Sequence, residues 1–263
     1  MDQSKIARLF RTKWAGKEIL CFKSLDSTNI TAKELAEAGY PSGTMVVAEH
    51  QTAGRGRRGR SWTSEEGTGI FMSLILRPEI LPEKASMLTL ICALAVSAGI
   101  SHVTGQEVLI KWPNDIVMNG KKICGILTEM SLVSAKIHHI VVGIGINVSN
   151  RQFPEEISQV AGSLYTETGA YFSREKIIAA ILENFERYYD FFQRTEDLSL
   201  VKNEYNGLLA NKDKEVRVLD PKEPFEGKAL GITEKGELIV DTTKGRRMVS
   251  GGEVSVRGIY GNV

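Results

Sequence analysis

Cysteine is scarce in this chain. Cys21, Cys92 and Cys124 are an odd number, lack CxxC spacing and sit in apolar runs. That excludes a disulfide framework and fits buried free thiols in a reducing cytoplasm. The four histidines, His50, His102, His138 and His139, are not spaced as metal ligands with any Cys or Asp. The adjacent pair His138 and His139, on one strand, is expected to face opposite sides. No GxSxG elbow and no Walker lysine loop occurs, which removes acyl-hydrolase and P-loop readings. Long apolar runs are missing: residues 87–100 are interrupted by Thr89, Ser97 and Gly99 and fall short of a membrane span. The N-terminus lacks the apolar region of a secretion signal. Net charge is nearly absent as well, 33 basic against 32 acidic side chains, which speaks against a nucleic-acid polymer as partner. A cytoplasmic protein with neither membrane nor nucleic-acid partner is expected.

The 263 residues, 42% of them hydrophobic, suffice for one large domain and a small one. Strand-like runs at 19–22, 44–50, 69–77, 108–112, 116–118, 121–130 and 138–148 are interspersed with helical patterns at 33–38 and 84–102. Asn119-Gly120 between two of the strands predicts a tight hairpin. Ser173 as N-cap opens a helix with Ile178, Ile181, Leu182, Phe185, Tyr188 and Phe192 on one face, a stripe of core residues. Strands in one region and helices in another indicate an α+β domain over residues 1–212. From residue 213 to 263 the texture changes to short β runs at 215–219, 228–232, 237–241, 247–249 and 253–259. Turns containing Pro221, Gly236, Gly245 and Gly251-Gly252 separate them, predicting a small antiparallel barrel.

Residues 54–60, Gly54-Arg55-Gly56-Arg57-Arg58-Gly59-Arg60, hold four guanidinium groups and three glycines with no acidic residue. Glycine lets backbone N–H groups approach a ligand, and arginine offers planar donor forks for carboxylate or phosphate, so the loop suits an anion of nucleotide size. Lys111-Trp112-Pro113-Asn114-Asp115 sets a lysine, an amide and a carboxylate in a stiff turn fit to clamp phosphate and magnesium. Gly143-Ile144-Gly145-Ile146-Asn147 lacks the dinucleotide fingerprint. Its small residues clear room for a flat ligand, with Asn147 as a two-way hydrogen-bonding group. Ser27-Thr28-Asn29 opens a helix, where its polar groups serve either as caps or as ligand contacts. No protein base stands out. The set suits a reaction whose substrate already carries its nucleophile, such as a carboxylate attacking the α-phosphate of a nucleotide.

In order along the chain, these motifs, together with Gln51 through Trp62 and Lys122-Ile123-Cys124-Gly125-Ile126-Leu127-Thr128-Glu129, closely resemble those of the biotin protein ligases from about Leu20 onward. The resemblance implies the catalytic fold shared by biotin and lipoate ligases and class II aminoacyl-tRNA synthetases. To this it adds a C-terminal SH3-like barrel. The activity implied is ATP-dependent formation of biotinyl-5′-adenylate, then transfer of biotin to one lysine of a biotin carboxyl carrier domain of a carboxylase. Ser27, Thr28, Asn29, Gln51, Gly54, Gly56 and Gly125 are then expected around biotin, and Arg55 and Arg57 on its carboxylate. Arg57, Arg58, Arg60, Trp62, Asn114 and Asn147 are expected around ATP. Lys111, with Arg57, would be catalytic and close to biotin, and Asp115 and Asn147 would hold Mg²⁺. Among relatives a monomer or a homodimer is expected.

Two rivals stay open. A lipoate or octanoate ligase shares the fold and the lysine, but the arginine loop speaks against it. A nucleic-acid-binding module predicts salt-sensitive polymer binding, which the balanced charge disfavours. Many bacterial relatives begin with a helix-turn-helix repressor domain, whereas 18 residues precede Ile19 here, fewer than the roughly 50 of a small domain. The resemblance therefore implies the ligase-only type. No sequence-selective binding to operator DNA is expected in a gel-shift assay at physiological salt, with or without biotin, and submicromolar binding would refute this reading.

Overall fold

The computed structural model describes residues 1, 3–63, 65–220, 222–251 and 255–258, with Ser255 and Arg257 by their backbone alone. The chain runs α1 (Gln3–Leu9), β1 (Ile19–Leu25), α2 (Thr28–Glu37), β2 (Met45–Gln51), β3 (Gly69–Leu76), α3 (Met87–Thr104), β4 (Leu109–Lys111), β5 (Asp115–Met118), β6 (Lys121–Val133) and β7 (Lys136–Asn147). Next come α4 (Leu164–Thr168), α5 (Arg174–Thr195) and α6 (Lys202–Leu208), then β8 (Glu215–Leu219), β9 (Phe225–Ile232), β10 (Leu238–Thr242), β11 (Gly245–Val249) and β12 (Ser255–Gly258). Seven strands form a sheet in the order β1-β2-β3-β7-β6-β5-β4. Only β1 and β2 run parallel, so the sheet is mixed, as expected of an α+β domain.

Alternation along β2 and β3 assigns the two faces. Met45, Val47, Ile70, Met72, Leu74 and Leu76 join the large core with α3 and α5, while Val46 and Ile75 pack with Ala32 and Ala36 of α2. Both faces of β3 are therefore covered, and all eight of its residues are buried, which is why its sequence lacks the polar alternation of a half-exposed strand. Pro82–Thr104 is long and apolar enough to cross a bilayer, unlike the 87–100 run taken alone. Here that segment supplies the core helix, with twelve residues of α3 buried.

The α5 stripe is buried as predicted, and the Ser173 hydroxyl accepts the Lys176 N–H at 3.2 Å. Asn119 and Gly120 take φ of 51° and 79°, the paired left-handed positions of a type I′ hairpin. Other expectations are corrected. Cys92 and Cys124 are buried, and burial pushes both thiols up, but Cys21 is half-exposed because β1 is an edge strand. His138 and His139 do not face opposite sides. Ser131 pairs with His139 but Leu132 pairs with Ile137, so His138 is an extra residue in β7, and this bulge brings the two Nδ1 atoms to 3.2 Å.

The C-terminal region is a five-stranded antiparallel sheet in the order β11-β10-β9-β8-β12. Its last predicted run, 253–259, includes Glu253 and Ile259, and its turns include Pro221 and Gly252; these four lie outside the described residues. Val216, Val218, Ala229, Leu238 and Val240 join the same core as the main sheet. Trp112, 2% exposed, donates its Nε1–H to the Gly236 carbonyl at 3.0 Å, so the strand that carries Lys111 is anchored in both regions.

Gly99 sets the spacing of α3 and α5: a Cβ there would lie 2.7 Å from Ile181 Cγ1 and 2.8 Å from its backbone nitrogen. Gly99→Val is expected to destabilise the fold by about 1–3 kcal/mol through overpacking, read as a lowered urea midpoint. An unchanged midpoint would refute the close contact.

Candidate active site

The site grows on the face of the sheet that α2 covers. Ser27 occupies the N-cap position of α2, but its side chain makes no cap bond. The hydroxyl is thus not committed to the helix, and capping alone does not explain it. Ser27, Thr28 and Asn29 are all buried. Gln51 Oε1 accepts the Thr28 N–H at 2.8 Å and its hydroxyl at 3.1 Å, while Ser73 Oγ lies 2.8 Å from Thr28 Oγ1 and 2.6 Å from Asn29 Oδ1. Asn29 Nδ2 donates to the Leu127 carbonyl at 3.3 Å and to Glu129 at 2.8 Å. Burial alone would raise the Glu129 carboxyl, but hydrogen bonds from Lys33 and Asn29 outweigh it and hold the group below its ordinary range. The result is a fixed polar wall with every amide oriented.

Opposite that wall the floor is glycine. Gly143 and Gly145 of β7 pair with Leu127 and Gly125 of β6. A Cβ at Gly143 would fall on the Asn29 carboxamide, 2.8 Å from its Cγ, and a Cβ at Gly125 or Gly145 would lie 2.9 Å from the Trp62 ring. Trp62 therefore lies flat on the floor of this first cavity, with Lys122 Nζ 5.5 Å from its ring centroid. Its Nε1–H finds no hydrogen-bond partner among the described residues, so a ligand acceptor beside it relieves a cost of about 1–3 kcal/mol.

Trp62 arrives there at the end of the arginine loop, which is a small hairpin. Arg55 bridges Ser61, Gly56 N–H donates to the Arg60 carbonyl at 2.7 Å, and Trp62 N–H donates to the Gly54 carbonyl at 2.9 Å. Arg57–Gly59 form a 3-10 turn at its tip, with Arg58 at φ 61°. Arg57 donates to Asn114 Oδ1 at 3.2 Å and to the Gly251 carbonyl, which ties the loop to both regions of the chain. Burial lowers the Arg57 pKa, Asp115 opposes, and Arg58 and Arg60 lower it further.

A second cavity adjoins the first, sharing Gly56, Arg57, Trp62, Asn114 and Lys122 with it. It collects Arg58, Arg60, Lys111 and Asp115. Lys111 and Asp115 are opposed across β4 and β5, and Asp115 pairs with Lys122 Nζ at 2.7 Å. Five cationic side chains around one carboxylate make this an anion site.

The expected residues are thus distributed between two chambers. Ser27, Thr28, Asn29, Gln51, Arg55, Gly56, Arg57, Trp62, Asn114 and Gly125 line the first, whereas Lys111, Arg58, Arg60 and Asp115 line the second. Lys111 is placed with the cations and not in the first cavity. Gly54 lines neither; a Cβ on it would lie 3.0 Å from Gln51 Nε2, so its smallness serves the base of the hairpin. Asn147 shares the face of Gly143 and Gly145, but its amide donates to the Gly162 carbonyl at 3.0 Å and it lines neither cavity. Sequence reasoning missed Ser73, Lys122 and the Lys33–Glu129 pair. Ser73 had a signal, a lone hydroxyl in an apolar strand; the others are long-range pairings.

A chamber with a hydrogen-bonding wall and with Arg55, Arg57 and Lys122 in its lining, opening onto a more strongly cationic one, suits a ligase that activates a small carboxylic acid with a nucleotide. Comparisons with known proteins narrow the class. Residues 21–147 match the biotin/lipoate A/B protein ligase family, and residues 213–257 match the biotin protein ligase C-terminal domain. The chain is 39% identical over 259 residues to the bifunctional ligase/repressor BirA of Bacillus subtilis, covering 97% of this chain and 79% of that one. It is 30% identical to the biotin–[acetyl-CoA-carboxylase] ligase of Paracoccus denitrificans, covering 87% and 96%. The structure of the biotin protein ligase of Aquifex aeolicus in complex with biotin and ATP superposes with a TM-score of 0.80 at 32% identity, covering 92% and 99%. The chain belongs to the biotin protein ligase family and is a ligase of that kind.

Gly143→Ala is expected to push the Asn29 carboxamide out of place and weaken biotin binding about tenfold, the equivalent of roughly 1.4 kcal/mol. Isothermal titration calorimetry measures this, with circular dichroism to check the fold. An unchanged biotin affinity would remove Asn29 from the recognition set.

Proposed function

We propose that the chain joins biotin to one lysine of a biotin carboxyl carrier domain, in the cytoplasm, through biotinyl-5′-adenylate. One observation carries this reading: the hydrogen-bonding and cationic chambers share Arg57 and Asn114, so an acid seated in the first presents its carboxylate to a nucleotide seated in the second. Ser27, Thr28, Asn29 and Gln51 hold the biotin head group, beside the backbone at Gly125. Arg55 and Arg57 receive its carboxylate. Arg58 and Arg60 hold the polyphosphate, and Trp62 closes over the ligand near the adenine.

A carboxylate oxygen attacks the α-phosphorus, the bond from that phosphorus to the bridging oxygen of the β-phosphate breaks, and pyrophosphate leaves with the electron pair. The carrier's lysine amine then attacks the acyl carbon, loses a proton, and displaces AMP. Neither step needs a protein nucleophile. Lys111 and Arg57 act by stabilising negative charge as it grows on the phosphate and acyl oxygens.

Magnesium, when bound, neutralises phosphate charge. Mg²⁺ characteristically takes few protein carboxylates and keeps phosphate and water oxygens. Asp115, the one carboxylate lining the cationic cavity among the described residues, fits that requirement and is the group we assign to hold it. The engagement of Asn147 with Gly162 gives it no comparable support.

For the carrier we assign the cleft between the two sheets, which shares Arg57, Asn114 and Leu127 with the first cavity and reaches Gly236 and Gly251. We place the division of the chain at 212/213, just ahead of β8; the family match beginning at residue 213 supports it. The bifunctional name of the B. subtilis relative includes repression; operator binding is no part of this proposal.

Lys111→Ala is expected to lower biotin- and ATP-dependent pyrophosphate release by on the order of a hundredfold, since the lysine's charge acts in the transition state, with biotin affinity nearly kept. Release within a few-fold of wild type would overturn the role. Incubation with biotin or lipoate, ATP and an apo carrier domain tests the function itself, and lipoylation in place of biotinylation would overturn it.

A further inference from the structure

The far end of α2 carries a cluster that ligation does not use. Glu37, its last residue, places Oε1 3.6 Å from His138 Nδ1 and 3.5 Å from His139 Nδ1, and the two Nδ1 atoms are 3.2 Å apart. The β7 bulge is what makes this possible, since a regular strand would send neighbouring side chains to opposite faces. The rings meet edge on, with centroids 5.1 Å apart and planes at 65°.

The separations are those of a coordination polyhedron. An ion bound tetrahedrally at about 2.0–2.1 Å from nitrogen and oxygen donors spaces those donors about 3.3–3.4 Å apart. The three distances here bracket that value. The frame is fixed without any ion: Arg77 donates from NH2 to the Ala36 carbonyl at 2.5 Å, from Nε to the Tyr40 carbonyl at 3.2 Å and from NH1 to the His138 carbonyl at 3.1 Å. One half-buried side chain thereby fastens the end of α2 to the bulge. His139 is 2% exposed, whereas the Glu37 side chain is 59% exposed, so the cluster is anchored on its His139 side and open to water on its Glu37 side. Burial pulls the His139 pKa down, Glu37 opposes, and His138, Arg77 and Lys33 pull it down further; the neutral imidazole is the form that ligates. The two cationic neighbours weigh against ions that bind by charge alone, and two imidazoles favour ions that prefer nitrogen.

We propose that Glu37, His138 and His139 form a binding site for a nitrogen-preferring divalent ion of the zinc class, completed by water, which clamps the end of α2 to the bulge of β7. The opposite end of the same helix carries Thr28 and Asn29, about 14 Å away at 1.5 Å per residue. The ion therefore braces the helix that presents the polar wall of the ligand pocket, at a distance from the reacting groups.

The test uses the full chain freed of metal by chelator and dialysis. Zinc is titrated in competition with a chromophoric chelator, cobalt is added for its visible spectrum, and thermal unfolding is followed with and without zinc. Expected are one ion per chain, the intense visible bands of four-coordinate cobalt, and a raised unfolding temperature with zinc. His138→Ala should abolish saturable binding and the thermal shift; Glu37→Gln should weaken binding about tenfold or more; Cys21→Ser should leave both unchanged. Both ligand substitutions fall on exposed or half-exposed side chains, and circular dichroism of the metal-free variants verifies their fold. Absence of saturable binding in the wild type, equal affinity in His138→Ala and Glu37→Gln, or loss of binding in Cys21→Ser would each overturn the proposal.

Discussion

The contact between the Asn29 carboxamide and Gly143 is the constraint from which the ligand pocket follows. It holds only because β7 offers a bare backbone there, and because Gly145 and Gly125 extend that bare strip. A side chain at any of the three would fill the chamber or lift α2 off the sheet. With them absent, Thr28 and Asn29 descend far enough to meet Ser73 on β3, the neighbour of β7. The polar wall is then satisfied from within: Gln51, Ser73, Leu127 and Glu129 provide its partners, so the buried amides carry little desolvation penalty. A pocket prepared in this way loses little entropy when a ligand enters.

Charge is kept apart from that wall until the reacting end of the site. Lys33 pairs with Glu129 behind the polar wall, Arg55, Arg57 and Lys122 line the first chamber away from that wall, and the second chamber sets five cations against Asp115. That arrangement suits an acid with a neutral head group and a charged tail, since it offers hydrogen bonds on one side and guanidinium groups on the other. This is positioning by electrostatics, and it explains why no general base is needed among the lining residues.

Much of this was legible along the chain, because the informative signals are local. A stripe at helical spacing gave α5, Asn-Gly gave the hairpin, and the density of Gly and Arg marked the anion loop before any partner was known. The motif around Lys111 identified the cationic chamber for the same reason. What escaped depends on register and on contacts between distant segments. A single extra residue in β7 turned His138 to the side of His139, and no periodicity reveals where a ladder slips. The half-exposed state of Cys21 reflects the edge position of β1, which composition does not encode. Trp62, expected near the nucleotide from its place in the motif, has its ring on the glycine floor of the first chamber and lines the second as well, a placement that no local signal encodes.

The link between loop and C-terminal sheet has the same character. Arg57 reaches both Asn114, in the turn after β4, and the backbone of Gly251, beyond β11. Trp112, beside Lys111, is meanwhile bonded to Gly236 in the turn between β9 and β10. The C-terminal region therefore touches the frame of the cationic chamber twice, through the arginine loop and through the strand end beside Lys111. Removing the Trp112 contact leaves a buried donor to be satisfied elsewhere, at a cost of about 1–3 kcal/mol. The small sheet thus helps hold the arginine loop and the strand end beside Lys111 in one frame. That accounts for a second sheet packed into the core of the first, although all the residues assigned to biotin lie in the N-terminal part of the chain.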